Sequence, residues 1–238
     1  MSVTHPESGT VSYTDNTDGS TAQKTDAKGQ RVKWEYTAAG QPEFVRKFTG
    51  TADTTEDTCA KVSYQYGSQS VDGGFSGATL QGRVSAVSTG CAAQRGGRID
   101  ELYSYNTAGA VLTKRVRIMR GMSVVGKDIV YGFDGEGKLA STNYPDEAKA
   151  WVMSYDAMAR PSGMTQEWWD GNQSIWVKRA WVNGVSYGVP GELLTLSSFA
   201  GMQNFADVYL SETRTYNARL RMTKRRTMQG ATVAMDLE

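Results

Sequence analysis

The side chains that most often carry enzyme chemistry are few and scattered in this sequence. His5 is the one histidine and lies in a polar stretch, so serine–histidine catalysis and histidine-based metal sites are not expected. Carboxylates cluster at 53–57 and at 134–136, a pairing of the kind that glycosidases use. Because both clusters fall in polar loop or turn sequences, we interpret them as solvated acids. We therefore predict that the chain is not an enzyme and uses no cofactor.

The two cysteines, Cys59 and Cys91, are the next candidates for chemistry. Cys59 precedes the alternating segment 61–66, and Cys91 follows the strand-like segment 83–90. If these segments pair as a hairpin, the two cysteines face each other at its open end, in a register that suits a disulfide. The alternative is a pair of free thiols. Zinc binding is not favoured, because no histidine lies near them in the sequence.

Tryptophans near one predicted turn could bind a sugar, because aromatic faces stack on pyranose rings. Trp168 and Trp169 precede Asp170-Gly171, a pair that suits a tight turn, so 164–169 and 173–182 should pair antiparallel. Strand alternation places the two tryptophans on opposite faces and predicts that about one of them is buried. Packing in the sheet or in a shell lining is the competing interpretation.

Basic residues concentrate at 114–120 and 223–226, which raises the question of nucleic-acid binding. In a strand, Arg115 and Arg117 share one face while Val116 and Ile118 share the other, as in a half-exposed sheet. The formal net charge is only +1, so we predict no nucleic-acid partner. A charged inner lining of a shell is another use for this face.

Membrane and targeting signals are not apparent. No apolar run approaches the roughly 18 residues needed to span a bilayer, so membrane insertion is not expected. The start of the chain has no signal-peptide pattern. We interpret residues 237–238, Leu-Glu, as a vector remnant and the chain as a piece of a longer protein, which is expected to be secreted or at the cell surface.

The composition is typical of strands and turns. The chain has 238 residues, 39% hydrophobic and 21% charged, with 26 Gly, 12 Tyr and 5 Pro. Helical spacing of apolar residues is hard to find over any window of 11 or more residues. Residues 1–24 are polar and form either a starting strand or a frayed end. These features predict an all-β protein.

From Tyr105 onward a short motif repeats along the chain at intervals of 22–32 residues. With the aromatic residue as position zero, Asp or Asn stands at position one, Gly often at position four, a cation often at position five and an apolar residue often at position six. Four ungapped copies begin at Tyr105, Phe133, Tyr155 and Tyr216, and weaker ones begin at Thr25, Tyr36 and Tyr187. The assigned motif residues are Tyr36, Gly40, Tyr105, Asn106, Gly109, Phe133, Asp134, Gly137, Tyr155, Asp156, Arg160, Tyr216, Asn217 and Arg221.

Each copy predicts one corner of a β-hairpin. The aromatic packs on the sheet, the Asp or Asn bonds to its own backbone, and Gly supplies a left-handed angle. The cation, Arg160 in one copy, is expected to face solvent. Ala159 and Leu220 stand where Gly is expected, and Pro161 takes the apolar position, which predicts a looser corner or a bulge there.

This motif resembles the YD repeats of the Rhs family, which also occur in Tc toxin shell proteins and in teneurins. The stretches "SYDAMARPSGM" and "YGFDGEGKLAST" match the Tyr-Asp-x-x-Gly-Arg-Leu pattern best. The resemblance implies a long antiparallel sheet that spirals into a hollow shell. In Rhs and Tc proteins such a shell encloses a C-terminal toxin, and in teneurins it serves adhesion at a cell surface. The self-cleavage segment that follows such repeats in Rhs proteins has no counterpart in this sequence.

Together these observations predict a curved antiparallel sheet of repeated β-hairpins, with residues 25–236 as one domain. The expected function is structural: a segment of a shell that encloses a toxin or other cargo in a larger polymorphic-toxin protein. The alternative is a carbohydrate- or receptor-binding adhesion module, with Trp168 and Trp169 as ligand contacts. Expected partners are the rest of the shell, its cargo and, through an open edge strand, a second copy.

Overall fold

The computed structural model describes residues 1–7, 9–68, 74–93, 97–203 and 206–238. Within these ranges the chain forms eighteen strands and one short 3-10 turn, Asp53–Thr55. The strand pairings within residues 1–120 and within residues 123–238 that have a described register are all antiparallel. The predicted fold class, an all-β antiparallel sheet of repeated hairpins, is confirmed. Among the described residues, no helix has the length and apolarity that crossing a membrane would require.

The chain divides into two compact units, residues 1–129 and 130–238. The strands of the first unit are β1 Ser2–His5, β2 Gly9–Asp15, β3 Thr21–Thr25, β4 Arg31–Tyr36, β5 Pro42–Phe48, β6 Val62–Tyr66, β7 Val84–Cys91, β8 Gly97–Tyr105 and β9 Val111–Arg120. Strand β10, Ser123–Phe133, spans the division. The second unit continues with β11 Leu139–Asn143, β12 Lys149–Tyr155, β13 Pro161–Asp170, β14 Ile175–Tyr187, β15 Leu193–Gln203, β16 Ala206–Tyr216, β17 Met222–Gln229 and β18 Thr232–Leu237.

Within each unit every strand pairs with the next strand along the chain. Such a meander alternates its connections between two ends of the sheet. We call the end that carries the connections after β2, β4, β6 and β8, or after β10, β12, β14 and β16, the motif end. The other is the opposite end. Because hairpins join neighbouring strands directly, each end is built from the connections between strands that follow one another in the sequence.

The buried apolar core is small and lies in the first unit. Phe48, Leu80, Ala86 and Leu102 are its buried apolar residues, and Leu102 and Ala86 are fully buried. The segment 74–83 packs across β8, because the carbonyl of Ala78 accepts the Tyr105 N–H at 3.0 Å. The Ala78 N–H in turn donates to Ser104 Oγ at 3.1 Å. Elsewhere most strand side chains are only half-buried, as expected where little chain covers the sheet.

The hairpin between β13 and β14 corrects one detail of the sequence prediction. Asp170 and Gly171 do not form a two-residue turn, because Asp170 pairs with Ile175 and a loop of four residues, 171–174, joins the strands. Asp170 Oδ1 accepts the N–H groups of Asn172 at 2.9 Å and Gln173 at 3.3 Å. The left-handed angle falls on Ser174, with φ 52°, and not on Gly171. The carboxylate thus stabilises a wider loop than the Asp-Gly pair suggested.

Candidate functional site

The repeated motif forms one turn of nearly constant geometry. In each copy the N–H of position one donates to the carbonyl of position five, and the N–H of position four donates to the carbonyl of position one; in the turn 134–138 these distances are 2.9 and 3.0 Å. The turns built this way are 16–20, 26–30, 37–41, 106–110, 134–138, 156–160, 188–192 and 217–221. All except 26–30 lie at the motif end.

The Asp or Asn at position one holds the turn with its side chain. Oδ1 of Asp156 accepts the N–H groups of Met158 and Arg160, each at 2.9 Å. Oδ1 of Asn217 accepts the equivalent N–H groups of Arg219 at 2.9 Å and Arg221 at 3.1 Å. In the copy at Asp156, hydrogen bonds from the Arg160 side chain and backbone hold the pKa of the carboxyl below its usual range. The side-chain oxygen of position one therefore accepts backbone hydrogen bonds of its own turn, as the motif predicts.

Position four adopts the left-handed conformation whether or not it is glycine. Gly109 has φ 95° and Gly137 has φ 83°, and Ala159 at 61° and Leu220 at 57° follow the same path. The substitutions therefore leave the turn geometry intact and carry the backbone strain of a side chain in this region.

Pro161 does not make its corner different from the others. Tyr155 pairs with Pro161 across a register shift, and Tyr105 with Val111 and Tyr216 with Met222 do so in the same way. The bulge expected at Pro161 is present, but it belongs to the motif as a whole. Proline is tolerated because it is the first residue of its strand.

The tyrosines that end strands at the motif end link successive motif-end connections, a feature that the sequence did not reveal. Each hydroxyl donates to the carbonyl of the residue that opens the strand after the preceding motif-end connection. The pairs are Tyr36 to Thr21 at 2.8 Å, Tyr66 to Pro42 at 2.7 Å, Tyr105 to Val84 at 2.7 Å, Tyr155 to Leu139 at 2.7 Å, Tyr187 to Pro161 at 2.7 Å and Tyr216 to Leu193 at 2.9 Å. We call these bonds, three in each unit, the tyrosine ladder. Phe133, the aromatic of one motif copy, has no hydroxyl to donate.

The cation that ends one motif-end connection packs on the aromatic ring that precedes the next motif-end connection along the chain. The Lys138 ammonium lies 5.4 Å from the centre of the Tyr155 ring, and the Arg160 guanidinium lies 4.5 Å from that of Tyr187. Arg83 takes the same place over Tyr105, at 5.6 Å. The prediction that Arg160 faces solvent is wrong, because its guanidinium gains both this ring and the carboxylate of Asp156, at 2.7 Å.

The repeated motif, as read from the sequence, did not predict the turn 16–20. The turn 16–20 has the motif hydrogen bonds and a left-handed Gly19, φ 84°. Its position zero is Asp15, so the aromatic signal was lacking. Asn16 at position one and Gly19 at position four are the signals that could have identified it.

The cysteines lie at the opposite end of the first unit. Cys59 and Cys91 form a disulfide with their Cα atoms 5.0 Å apart. It ties the long connection 49–61 to the last residue of β7. The strand register agrees, since Val62 pairs with Thr89.

Trp168 and Trp169 lie on opposite faces of β13 and differ in how far they are buried. Trp168 is half-buried, with the Lys149 ammonium 5.2 Å from its ring centre. Trp169 is 49% exposed and meets Trp176, 65% exposed, edge to face with 5.8 Å between ring centroids. The exposed aromatic pair is therefore Trp169 with Trp176, and Trp168 is not part of it.

The charged clusters of the sequence are engaged in ion pairs. Arg115 pairs with Asp128 at 2.6 Å, and Lys114 pairs with Glu101 at 2.8 Å. In the C-terminal basic stretch the Arg225 guanidinium pairs with Glu212 at 2.7 Å. Charges on these strands are thus largely neutralised by their neighbours.

The acidic clusters are engaged in the same manner. Oδ1 of Asp53 accepts hydrogen bonds from the Lys33 ammonium and the Arg31 guanidinium, each at 2.8 Å. These hydrogen bonds hold the pKa of the Asp53 carboxyl below its usual range. Glu56 pairs with Arg46 at 3.0 Å. In the part of the chain that the structure describes, no group of three or more His, Cys, Asp or Glu side chains is arranged to hold a metal ion.

Comparison with known proteins supports the fold through structure and not through sequence. No protein-family model matches the chain, and no curated protein matches it. A crystal structure of TcdB2-TccC3-Cdc42 is similar over 100% of this chain, with a TM-score of 0.71 and 13% identity. A crystal structure of TcdB2-TccC3 without its hypervariable C-terminal region is similar over the same span, with a TM-score of 0.70 and 14% identity. The chain spans 11% of the length of each of these proteins and shares their fold over that part.

Proposed function

We propose that this chain is a structural segment of a β-shell that encloses a toxin or other cargo within a larger Rhs-like protein. The observation that carries the proposal is the motif end, where the same turn and the same tyrosine bond recur from hairpin to hairpin. A device that repeats identically suits the extension of a sheet, whereas a catalytic site needs a unique group of side chains. The fold shared with the Tc toxin TcdB2-TccC3 structures supports the same function.

A half-buried row of aromatic rings in the second unit is consistent with a covering partner. Trp151, Trp181, Phe199 and Tyr209 form a row of contacting rings across four strands, with centroids 5.0–6.0 Å apart. Beside it lies a cavity of about 230 Å³ lined by apolar side chains that include Met153 and Leu196. The second unit has none of the buried apolar residues of the core among those described. Cargo packed on this face would remove apolar surface from water.

Contacts with neighbouring shell segments belong to the same proposal. A strand at the margin of a sheet can accept another strand by backbone pairing. In the isolated chain such pairing would give self-association, which light scattering over a range of concentrations can measure. We propose that the parent protein acts outside the cell or at its surface, where a disulfide such as Cys59–Cys91 is stable.

Limited proteolysis of the full parent protein tests the shell function. Cargo inside an intact shell should be cleaved much more slowly than the same cargo segment expressed alone. A variant with Tyr155→Phe, Tyr187→Phe and Tyr216→Phe removes three bonds of the tyrosine ladder and should speed that cleavage. Tyr144→Phe, at an exposed tyrosine outside the ladder, is the matched control. Equal cleavage of enclosed and free cargo would exclude this function.

A second function, glycan binding at a cell surface, is favoured by the pair Trp169 and Trp176. Two neighbouring indoles that are 49% and 65% exposed are unusual for a residue type that is mostly buried. The ion pair of Glu167 with Lys178, at 2.7 Å, lies next to them on the same two strands and offers polar groups for sugar hydroxyls.

A glycan array tests this second function. Binding should be lost in Trp169→Ala and in Trp176→Ala. It should be retained in Val189→Ala, which removes an exposed apolar side chain, 97% exposed, from a motif turn. An array without binding to the wild-type chain would exclude it.

A further inference from the structure

The hairpin loop 171–174 contains an asparagine in a sequence that enzymes can modify. Asn172-Gln173-Ser174 is an Asn-x-Ser/Thr tripeptide in which x is not proline, the acceptor sequence for N-linked glycosylation. It occurs once in the chain, because the other asparagines lack Ser or Thr two residues later. We propose that Asn172 is an N-glycan acceptor in the folded protein. This site is independent of the shell function.

The loop is open to an enzyme on the folded protein. Every residue from Gly171 to Trp176 is exposed, and the last paired residues of the two strands are Asp170 and Ile175. A transferase can therefore bind residues 171–174 without breaking strand pairing. A Cβ atom placed on Gly171 would meet no atom within 4 Å beyond those of its two chain neighbours, so the space beside this residue is free.

The side chain of Asn172 is available, whereas other turn asparagines are engaged. Oδ1 of Asn106 accepts the Ala110 N–H at 2.9 Å, and Oδ1 of Asn217 accepts two backbone N–H groups of its own turn. Nδ2 of Asn16 donates to Ser20 Oγ at 2.9 Å. For Asn172, the hydrogen bond found among the described residues comes from its backbone N–H, which donates to Asp170. Its amide can therefore react without loss of a structural bond.

The reaction is a group transfer whose donor is a lipid-pyrophosphate-linked oligosaccharide. Nδ2 of Asn172 forms a bond to C1 of the first sugar, and the bond between C1 and the pyrophosphate oxygen breaks. The lipid pyrophosphate leaves with the electron pair, and the amide loses one proton. The Ser174 hydroxyl is the second recognition element of the acceptor sequence. The disulfide of the first unit fits a protein that folds in the oxidising compartments where such transferases act.

The test uses the folded, oxidised 238-residue chain. The chain is incubated with a purified oligosaccharyltransferase and a lipid-pyrophosphate-linked oligosaccharide, and the intact mass is then measured. A peptide covering residues 168–177 serves as the positive control for the enzyme. The expected result is one oligosaccharide per chain, located on Asn172 by peptide mapping.

The variants separate the acceptor from its surroundings. Asn172→Gln and Ser174→Ala should each abolish the mass increase, whereas Ser174→Thr should retain it. Asn183→Gln, at an asparagine on β14 of the same hairpin, should behave as the wild type. A wild-type chain that stays unmodified while the peptide is glycosylated would overturn the proposal. Modification at a different asparagine would overturn it equally.

Discussion

Within each unit, the two ends of the hairpin meander differ in how much their connections vary. At the motif end, seven connections share the same five-residue turn, and most of those turns have an Asp or Asn at position one. At the opposite end the described connections range from the two residues 121–122 to the thirteen residues 49–61, with a disulfide, a 3-10 turn and the loop 171–174 among them. Both ends join the same strands, so strand pairing alone does not require a uniform turn.

The difference indicates that the motif end holds successive hairpins together and that the opposite end is free to diversify. Each tyrosine of the ladder joins two motif-end connections through a hydroxyl-to-carbonyl bond. The connections of the opposite end are stabilised individually, by the disulfide at 49–61 and by Asp170 at 171–174. Candidate recognition features, Trp176 and Asn172, accordingly lie at the opposite end.

The disulfide provides the largest expected effect. Replacing both Cys59 and Cys91 with Ser should destabilise the first unit by about 3 kcal/mol, because the unfolded chain regains the freedom of a long loop. Hydrogen exchange in urea should show faster opening of β5–β7 and unchanged exchange in β12–β17. Wild-type protein treated with a reductant is the control for the substitutions themselves. Equal loss in both units would contradict the local role of this bond.

The side chain that closes a motif turn provides the next largest effect. Asn106→Ala removes the oxygen that accepts the Ala110 N–H, and we expect a loss of about 1.5 kcal/mol, as for the loss of a capping side chain. Thermal unfolding followed by circular dichroism measures it. Thr107→Ala in the same turn, at an exposed residue, should have little effect. Similar losses from the two variants would show that Asn106 does not organise the turn.

The tyrosine ladder should give a smaller effect at each position. Tyr155→Phe keeps the ring but removes the bond to the carbonyl of Leu139, which should cost about 1 kcal/mol. Exchange of the backbone amides of β11 and β12 should quicken, whereas Tyr144→Phe should leave it unchanged. An unchanged exchange rate in Tyr155→Phe would mean that the ladder does not couple the hairpins.

The smallest predicted effect is a gain in stability. Ala159→Gly relieves a left-handed residue at φ 61°, and the greater freedom of glycine in the unfolded chain offsets part of that relief. The net gain should be about 0.5 kcal/mol, visible as a higher urea midpoint. Ala157→Gly, in the same turn but without a positive φ, should not stabilise. A gain in that control would point to a cause other than backbone strain.

Local features of the sequence predicted the fold class and much of the motif end. The aromatic, the Asp or Asn and the left-handed residue act within a few positions of one another, so the corners at Tyr105, Phe133, Tyr155 and Tyr216 could be placed without a structure. The loop after Asp170 was misjudged. A wider loop held by the same carboxylate competes with the two-residue turn that Asp-Gly suggests.

The sequence by itself determined that the chain would fold as repeated antiparallel hairpins, because alternation and turn chemistry are encoded over short stretches. Tertiary structure alone decided which groups those turns contact. The Tyr155 hydroxyl donates to a carbonyl 16 residues away in the sequence. The Arg160 guanidinium lies over the ring of Tyr187 and does not face solvent as predicted. Only the folded sheet brings these partners together, since the lengths and registers of the intervening strands set their distance.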